Sequence, residues 1–225
     1  MKEELREVNT CQVCDSNDFE LAYILKKGTF SQDITVKNYV CKYCTAVFQN
    51  PLILRDNHDH FFADMPDFSS IYFTVSDKRL DYLKQYIKSK GSFLDIGCGH
   101  GHMVYSFRKI GYDSMGIDPE ESYIEFCKKN NLNVIKTDLI SFKTKKKFDI
   151  ITMVAVLNHI PDQKAFLKKT RELLKDGGIF LLETPDMYHP EALNPLLGAP
   201  HPLNNTKRSI AIMLNKIGFN VLDIS

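Results

Sequence analysis

Two pairs of cysteines, Cys11-x-x-Cys14 and Cys41-x-x-Cys44, stand 26 residues apart near the start of the chain. Two such knuckles are the usual ligand set of a tetrahedral structural Zn²⁺, with four thiolates closing every position. A segment this short has too little core to fold alone, so bound metal supplies the missing stability. Asp15 and Thr45 follow the second cysteine of each pair, where zinc knuckles often carry glycine. Cys98 and Cys127 lie far along the chain and are not expected as ligands. Cys98 reads as a small filler rather than a nucleophile.

A second constellation runs Phe93-Leu94-Asp95-Ile96-Gly97-Cys98-Gly99-His100-Gly101, an apolar strand entering three alternating glycines. Glycine lets the chain turn sharply and lets a ligand approach the backbone. The helix expected next offers free N–H groups at its start. In an open parallel sheet, ligands bind at the carboxyl ends of the strands. Asp95 would stand at that lip, where a carboxylate can meet a ligand ammonium. Asp118, before Pro119, ends the next apolar segment, where it can accept both hydroxyls of a ribose. Dinucleotide enzymes share that feature, but their G-x-G-x-x-G fingerprint needs a third glycine where His102 stands.

A third set could act on a bound acceptor group. His159 follows the apolar run 148–157, Glu183, Tyr188 and His189 follow the next, and His201 sits in Ala-Pro-His-Pro-Leu. Each histidine or tyrosine is a candidate base or pocket wall.

The elements that must position these residues alternate in period. Helices are expected over 77–90, with Leu80, Leu83, Tyr86 and Ile87 on one face, and over 102–110, 120–130, 163–174 and 209–216. Strands are expected over 92–96, 114–117, 133–136, 148–157, 179–183 and 219–224. The apolar run 148–157 suits a strand buried on both faces. The pattern is α/β, a parallel sheet with helices on both faces. It divides the chain into a zinc-binding module (1–50), a linker or lid (51–76) and a ligand-binding domain (77–225). In the linker, Tyr72 and Phe73 could close over a ligand, whereas Phe61, Phe62 and Phe68 read as packing.

Composition narrows the partners. Lys plus Arg (29) nearly cancels Asp plus Glu (28), a balance that gives no support to a nucleic-acid footprint. The one dense cationic run, 143–147, reads as a solvated loop. The first ten residues lack the apolar core of a signal peptide, and no apolar run approaches the roughly 18 residues of a membrane span. A cytoplasmic protein is the expectation, and in the cytoplasm cysteine pairs hold metal more often than disulfides.

Taken in order, LDIGCGHG, GIDPEES, KTDL, FDIITMVAVLNHIPD and LLKDGGIFLLETP resemble the successive motifs of class I S-adenosylmethionine (SAM)-dependent methyltransferases. The resemblance covers roughly residues 77–225 and implies their Rossmann-like sheet. It implies that Asp95, Gly97, Gly99 and Gly101 line the methionine end of SAM, and that Asp118 and Pro119 hold the ribose. Asp138 would meet the adenine amino group, Leu139 the ring, and the backbone of Val154 and Ala155 the SAM ammonium. The family sheet normally gains a seventh, antiparallel strand after the sixth; that strand is missing from this pattern.

The stretch from Tyr39 to Pro51 resembles the N-terminal zinc module of bacterial methyltransferases, some acting on nucleotide-linked sugars. The expected function is methyl transfer from SAM to a small molecule, such as a sugar or sugar nucleotide of surface-polysaccharide or secondary metabolism. Methylation of an RNA base is the alternative, weakened by Val-Leu-Asn-His where Asn-Pro-Pro-Tyr would serve exocyclic amines. A non-catalytic SAM-binding interaction protein is a further alternative. Acceptor, methylated atom and oligomeric state are left open.

Overall fold

The computed structural model describes residues 4–26, 35–54, 70–87, 89–188 and 201–225. Tertiary contacts divide the chain into two compact units. One comprises Met1–Asn57, Ala155–Arg171 and Thr184–Ser225; the other comprises His58–Val154 and Glu172–Glu183.

The first unit opens with strand β1 (Glu4–Arg6), then β2 (Phe19–Lys26), β3 (Thr35–Cys41), β4 (Val47–Gln49) and β5 (Leu52–Leu54). β1 and β5 pair antiparallel, and β2, β3 and β4 form an antiparallel meander. Alternation along β3 and β4 places Tyr39 and Phe48 together with Phe19, whose ring meets theirs edge-on at 5.7 and 5.2 Å. These strands flank the two cysteine turns, which share one hydrogen-bond pattern. Asp15 N–H donates to the Cys11 carbonyl and Thr45 N–H to that of Cys41, both at 2.9 Å. Asp15 and Thr45 have φ of 69° and 66°, the left-handed conformation that glycine adopts most freely.

The second unit begins with α1 (Ser70–Lys84), seven residues earlier and six earlier in closing than the periodicity suggests. A parallel sheet follows: β6 (Ser92–Ile96), β7 (Asp113–Asp118), β8 (Val134–Lys136), β9 (Phe148–Val154) and β10 (Leu174–Glu183), in spatial order β10-β9-β6-β7-β8. Helices α2 (His102–Lys109) and α3 (Glu121–Lys129) connect β6 to β7 and β7 to β8. β6 is buried along its whole length, as a central strand covered on both faces must be. Val104 and Phe107 of α2, Leu80 and Leu83 of α1, and Ile124 of α3 join Phe93 in one core cluster. Phe93 and Phe107 stack at 3.8 Å between ring centroids, and each is fully buried. Such a side chain contributes about 2–3 kcal/mol of burial. Asp176-Gly177-Gly178 does not simply end a helix: it forms a bulge inside β10, with Gly177 at φ 73°.

The first unit resumes after β9 with a 3-10 turn, Leu157–His159, and α4 (Gln163–Leu173). It adds β11 (Leu203–Asn204), antiparallel to β4, and α5 (Lys207–Ile217). β9 thus ends three residues before the apolar run does, because Ala155 takes φ 54° and turns the chain out of the strand. α5 starts at a reciprocal cap between Thr206 and Ser209 and ends at Gly218, φ 94°. The sixth strand expected over 219–224 is not formed. Phe219 N–H is spent closing α5 on the Leu214 carbonyl, and the residues beyond pair with no strand among those described. An apolar stretch becomes a strand only where a neighbour completes its ladder.

Candidate functional site

In the sheet unit, the glycine loop and two carboxylates meet at the carboxyl ends of β6 and β7. Asp95 pairs in register with Thr152 of β9, and the Thr152 hydroxyl donates to Asp95 Oδ1 at 2.6 Å. Burial pushes the Asp95 carboxyl up to about 7; the Asp118 charge adds to this, and the Thr152 hydrogen bond and Arg79 oppose it. A cation seated beside Asp95 would restore its charge. Asp118 accepts from Gly99 N–H through Oδ2 and from Glu120 N–H through Oδ1, both at 2.9 Å. This carboxylate therefore ties the glycine loop to the end of β7 and fixes its own rotamer at the lip.

Gly97, Gly99 and Gly101 have φ of 70°, 48° and 76°. At Gly101 a Cβ would also lie 2.5 Å from Leu132 Cδ1 and 2.9 Å from Cys127 Sγ. Cys127 Sγ sits 3.3 Å from the Gly99 carbonyl, supporting the loop from below. A hydrogen bond to Cys127, then burial, holds the Cys98 thiol well above its ordinary value, so it stays protonated. Pro119 directly follows Asp118. Asp138 caps a turn by accepting from Ser141 N–H at 2.9 Å, and Leu139 beside it is buried. Val154 is the last residue of β9 and Ala155 is exposed.

In the other unit, the structure brings two of the acceptor-side candidates together. His159 and His201 meet edge-on at 4.9 Å between ring centroids. Asn158 joins them: its Nδ2 lies 2.8 Å from His201 Nε2 and 3.2 Å from His159 Nε2. With the amide nitrogen on this side, both Nε2 atoms accept and each ring is assigned its proton on Nδ1. Reversing the amide would bury two donors in place of one unsatisfied carbonyl, the costlier arrangement. Burial, then the neighbouring His159, lowers His201 to about 4, so it is neutral near pH 7. His201 Nδ1 is buried, and the Asn204 side chain beside the ring partly offsets the lowering. Tyr188 is exposed in a turn, and His189 lies outside the described residues, as do Phe61, Phe62, Phe68 and the side chains of Tyr72 and Phe73.

The four knuckle sulfurs lie within 4.8 Å of one another, all buried, with Cys11–Cys44 and Cys14–Cys41 at 3.5 Å. A tetrahedral ion with metal–sulfur bonds of about 2.3 Å spans sulfurs ~3.8 Å apart, so the set fits zinc. The hydrogen bond from Cys44 lowers the Cys11 thiol to about 5, against the effect of burial. Cys98 and Cys127 are not part of the cluster.

Sequence reasoning passed over Thr152 and Asn158, and gave Asp15 and Thr45 no role. A lone Thr in an apolar strand and an Asn beside His159 were the available signals.

Residues 68–224 match the family model described as a methyltransferase domain. The chain belongs to this methyltransferase domain family. An aligned stretch of 138 residues is 33% identical to the ubiquinone biosynthesis O-methyltransferase of Coxiella burnetii, covering 58% of this chain and 59% of that one. The corresponding protein of Pelagibacter ubique is 32% identical over 143 residues, 60% and 53% of the two chains. The chain thus spans less than two thirds of the length of these curated relatives. Among solved structures, a SAM-dependent methyltransferase from Archaeoglobus fulgidus superposes with a TM-score of 0.58 at 23% identity, over 66% and 69% of the chains. The plantazolicin methyltransferase bound to S-adenosylhomocysteine superposes at 0.56 with 22% identity, over 66% and 65%. These likenesses establish the Rossmann-like methyltransferase fold. No helix among the described residues is long and apolar enough to cross a membrane.

Proposed function

We propose that this chain transfers a methyl group from SAM to a small-molecule acceptor. The observation that carries this is the pair of buried carboxylates, Asp95 and Asp118, flanking the left-handed glycine loop. In this reading Asp95 faces the SAM ammonium, Asp118 and Pro119 the ribose, and Asp138 and Leu139 the adenine. The backbone of Gly97, Gly99, Gly101, Val154 and Ala155 completes the cradle. Methyl transfer is an in-line displacement at a sulfonium carbon, helped mainly by alignment and exclusion of water. The knuckles hold a structural Zn²⁺, and the protein works in a bacterial cytoplasm.

His201 is the proposed acceptor contact. With Nε2 taken by Asn158, its remaining nitrogen is a donor. In this arrangement it would hold an acceptor oxygen, and the alternative role as a general base stands or falls with the turnover of the variant below. His159 would be the pocket wall beside it, and Tyr188 and His189 secondary candidates. The resemblance of the N-terminal module supports a sugar or sugar nucleotide as acceptor; relatives named as O-methyltransferases of ubiquinone biosynthesis support methylation of an oxygen.

Calorimetric titration of zinc-loaded protein with S-adenosylhomocysteine should show one site per chain, and absence of binding would overturn the proposal. A panel of sugar nucleotides and catechols with radiolabelled SAM then selects the acceptor. His201→Ala should lower turnover about tenfold or more, the scale of one lost hydrogen bond. Its affinity for S-adenosylhomocysteine should not change; unchanged turnover would remove His201 from the reaction.

A further inference from the structure

The two residues that replace glycine in the knuckles are the ones that reach α5. Left-handed backbone at a residue bearing a Cβ is disfavoured, so glycine would suit both positions better. Each side chain has a partner that glycine would lose. The Thr45 hydroxyl lies 2.7 Å from that of Thr206, the N-cap of α5. Donor directions along this line agree. Ser209 N–H donates to Thr206 Oγ1, the Thr206 hydroxyl to Thr45 Oγ1, and the Thr45 hydroxyl to the Cys44 carbonyl.

At the other end of α5, Lys216 Nζ donates to the Cys14 carbonyl at 2.7 Å and pairs with Asp15 at 3.1 Å. Asp15 also pairs with Lys164 of α4 at 2.5 Å. One knuckle grips the start of α5 and the other its end. Between them, Gln49 fixes the segment that carries His201: its N–H donates to the Pro202 carbonyl, and its side-chain amide to the His201 carbonyl, both at 3.1 Å.

We propose that Asp15 and Thr45 are positioning residues that clamp both ends of α5 to the cysteine knuckles, so that metal binding sets the order of residues 201–217, His201 included. The inference rests on the reading of the four cysteines as a structural metal site. Metal and clamp can be separated because glycine preserves the knuckle turn and removes only the side chain.

The experiment is hydrogen–deuterium exchange, with zinc content measured in every sample. Zinc-loaded Thr45→Gly and Asp15→Gly should retain one zinc per chain yet exchange several-fold faster over 206–217. Thr45→Ser should restore the wild-type rate. Lys216→Met, remote in sequence from the cysteines, should reproduce the Asp15→Gly effect even if that variant folds poorly. Chelation of wild-type protein with EDTA should speed exchange over 201–217 at least tenfold and shift the His201 ring signal in a histidine-selective NMR spectrum. Exchange over 92–118 should stay unchanged. Wild-type exchange in zinc-loaded Thr45→Gly and Lys216→Met would overturn the clamp. Loss of zinc from wild-type protein without change over 201–217 would overturn its link to the metal. Absence of any bound zinc would instead remove the underlying reading.

Discussion

The two units of this chain are built on opposite plans. The sheet unit draws on mostly consecutive segments, β6 and β7 each handing over to a helix, and its site lies on one loop and two strand ends. The cysteine-bearing unit gathers three separated segments, and its histidine cluster depends on Asn158 meeting His201, 43 positions away. The first plan rests on apolar burial, and the second adds long-range polar bonds and four buried cysteines to it. Chemistry written in contiguous motifs is robust to the surrounding sequence. Chemistry assembled from remote segments depends on whatever holds them.

The contrast can be broken most forcefully at the metal. Cys41→Ser should abolish zinc binding, and structural zinc contributes on the order of 10 kcal/mol in small modules. Exchange protection over 4–54 should collapse while 92–136 stays protected; simultaneous loss in both would erase the distinction between the units. Next comes Phe107→Ala, which empties a fully buried site against Phe93 and should cost about 3–5 kcal/mol in urea unfolding. Zinc stoichiometry should survive it.

Smaller effects sharpen the picture of the loop. Asp118→Asn replaces a charged acceptor of two backbone bonds and should weaken S-adenosylhomocysteine binding by about 1.5–3 kcal/mol in calorimetry. The smallest effect is a pH dependence. The free Asp95 carboxyl titrates near 7, and a ligand ammonium beside it favours the ionised form and lowers that value in the complex. Binding therefore releases a proton below pH 7. Affinity should be full above 7 and fall as pH drops through 7, by at most about tenfold per unit. A flat profile would place the ammonium elsewhere.

Much of the sheet unit could be read from the residues, because burial on both faces leaves unbroken apolar runs at β6 and β9 and left-handed turns leave glycines. Helix ends were less legible: α1 begins inside a stretch without clear periodicity, since tertiary packing rather than pattern fixed its start. The sixth strand failed because alternation reports only which faces differ, never whether a partner edge exists. The cysteine spacing announced the metal cluster, but β1 to β5 were not foreseen. β1, β4 and β5 are only three residues long, and two of the pairings that order the set are remote, Leu5 with Ile53 and Leu203 with Phe48. Asn158 escaped notice for the same reason, since its meaning depends on His201 arriving from elsewhere.

The interleaving of segments also sets a timetable. Cys44 leaves the ribosome early, yet its hydroxyl-bearing neighbour Thr45 waits for Thr206, 161 positions later. At about 5–20 residues per second this delay is roughly ten to thirty seconds. The sheet strands β6 to β9 emerge within that interval and can settle first. Until then the Thr45 hydroxyl lacks this partner, so the knuckle and α5 can be joined only after the chain between them has emerged.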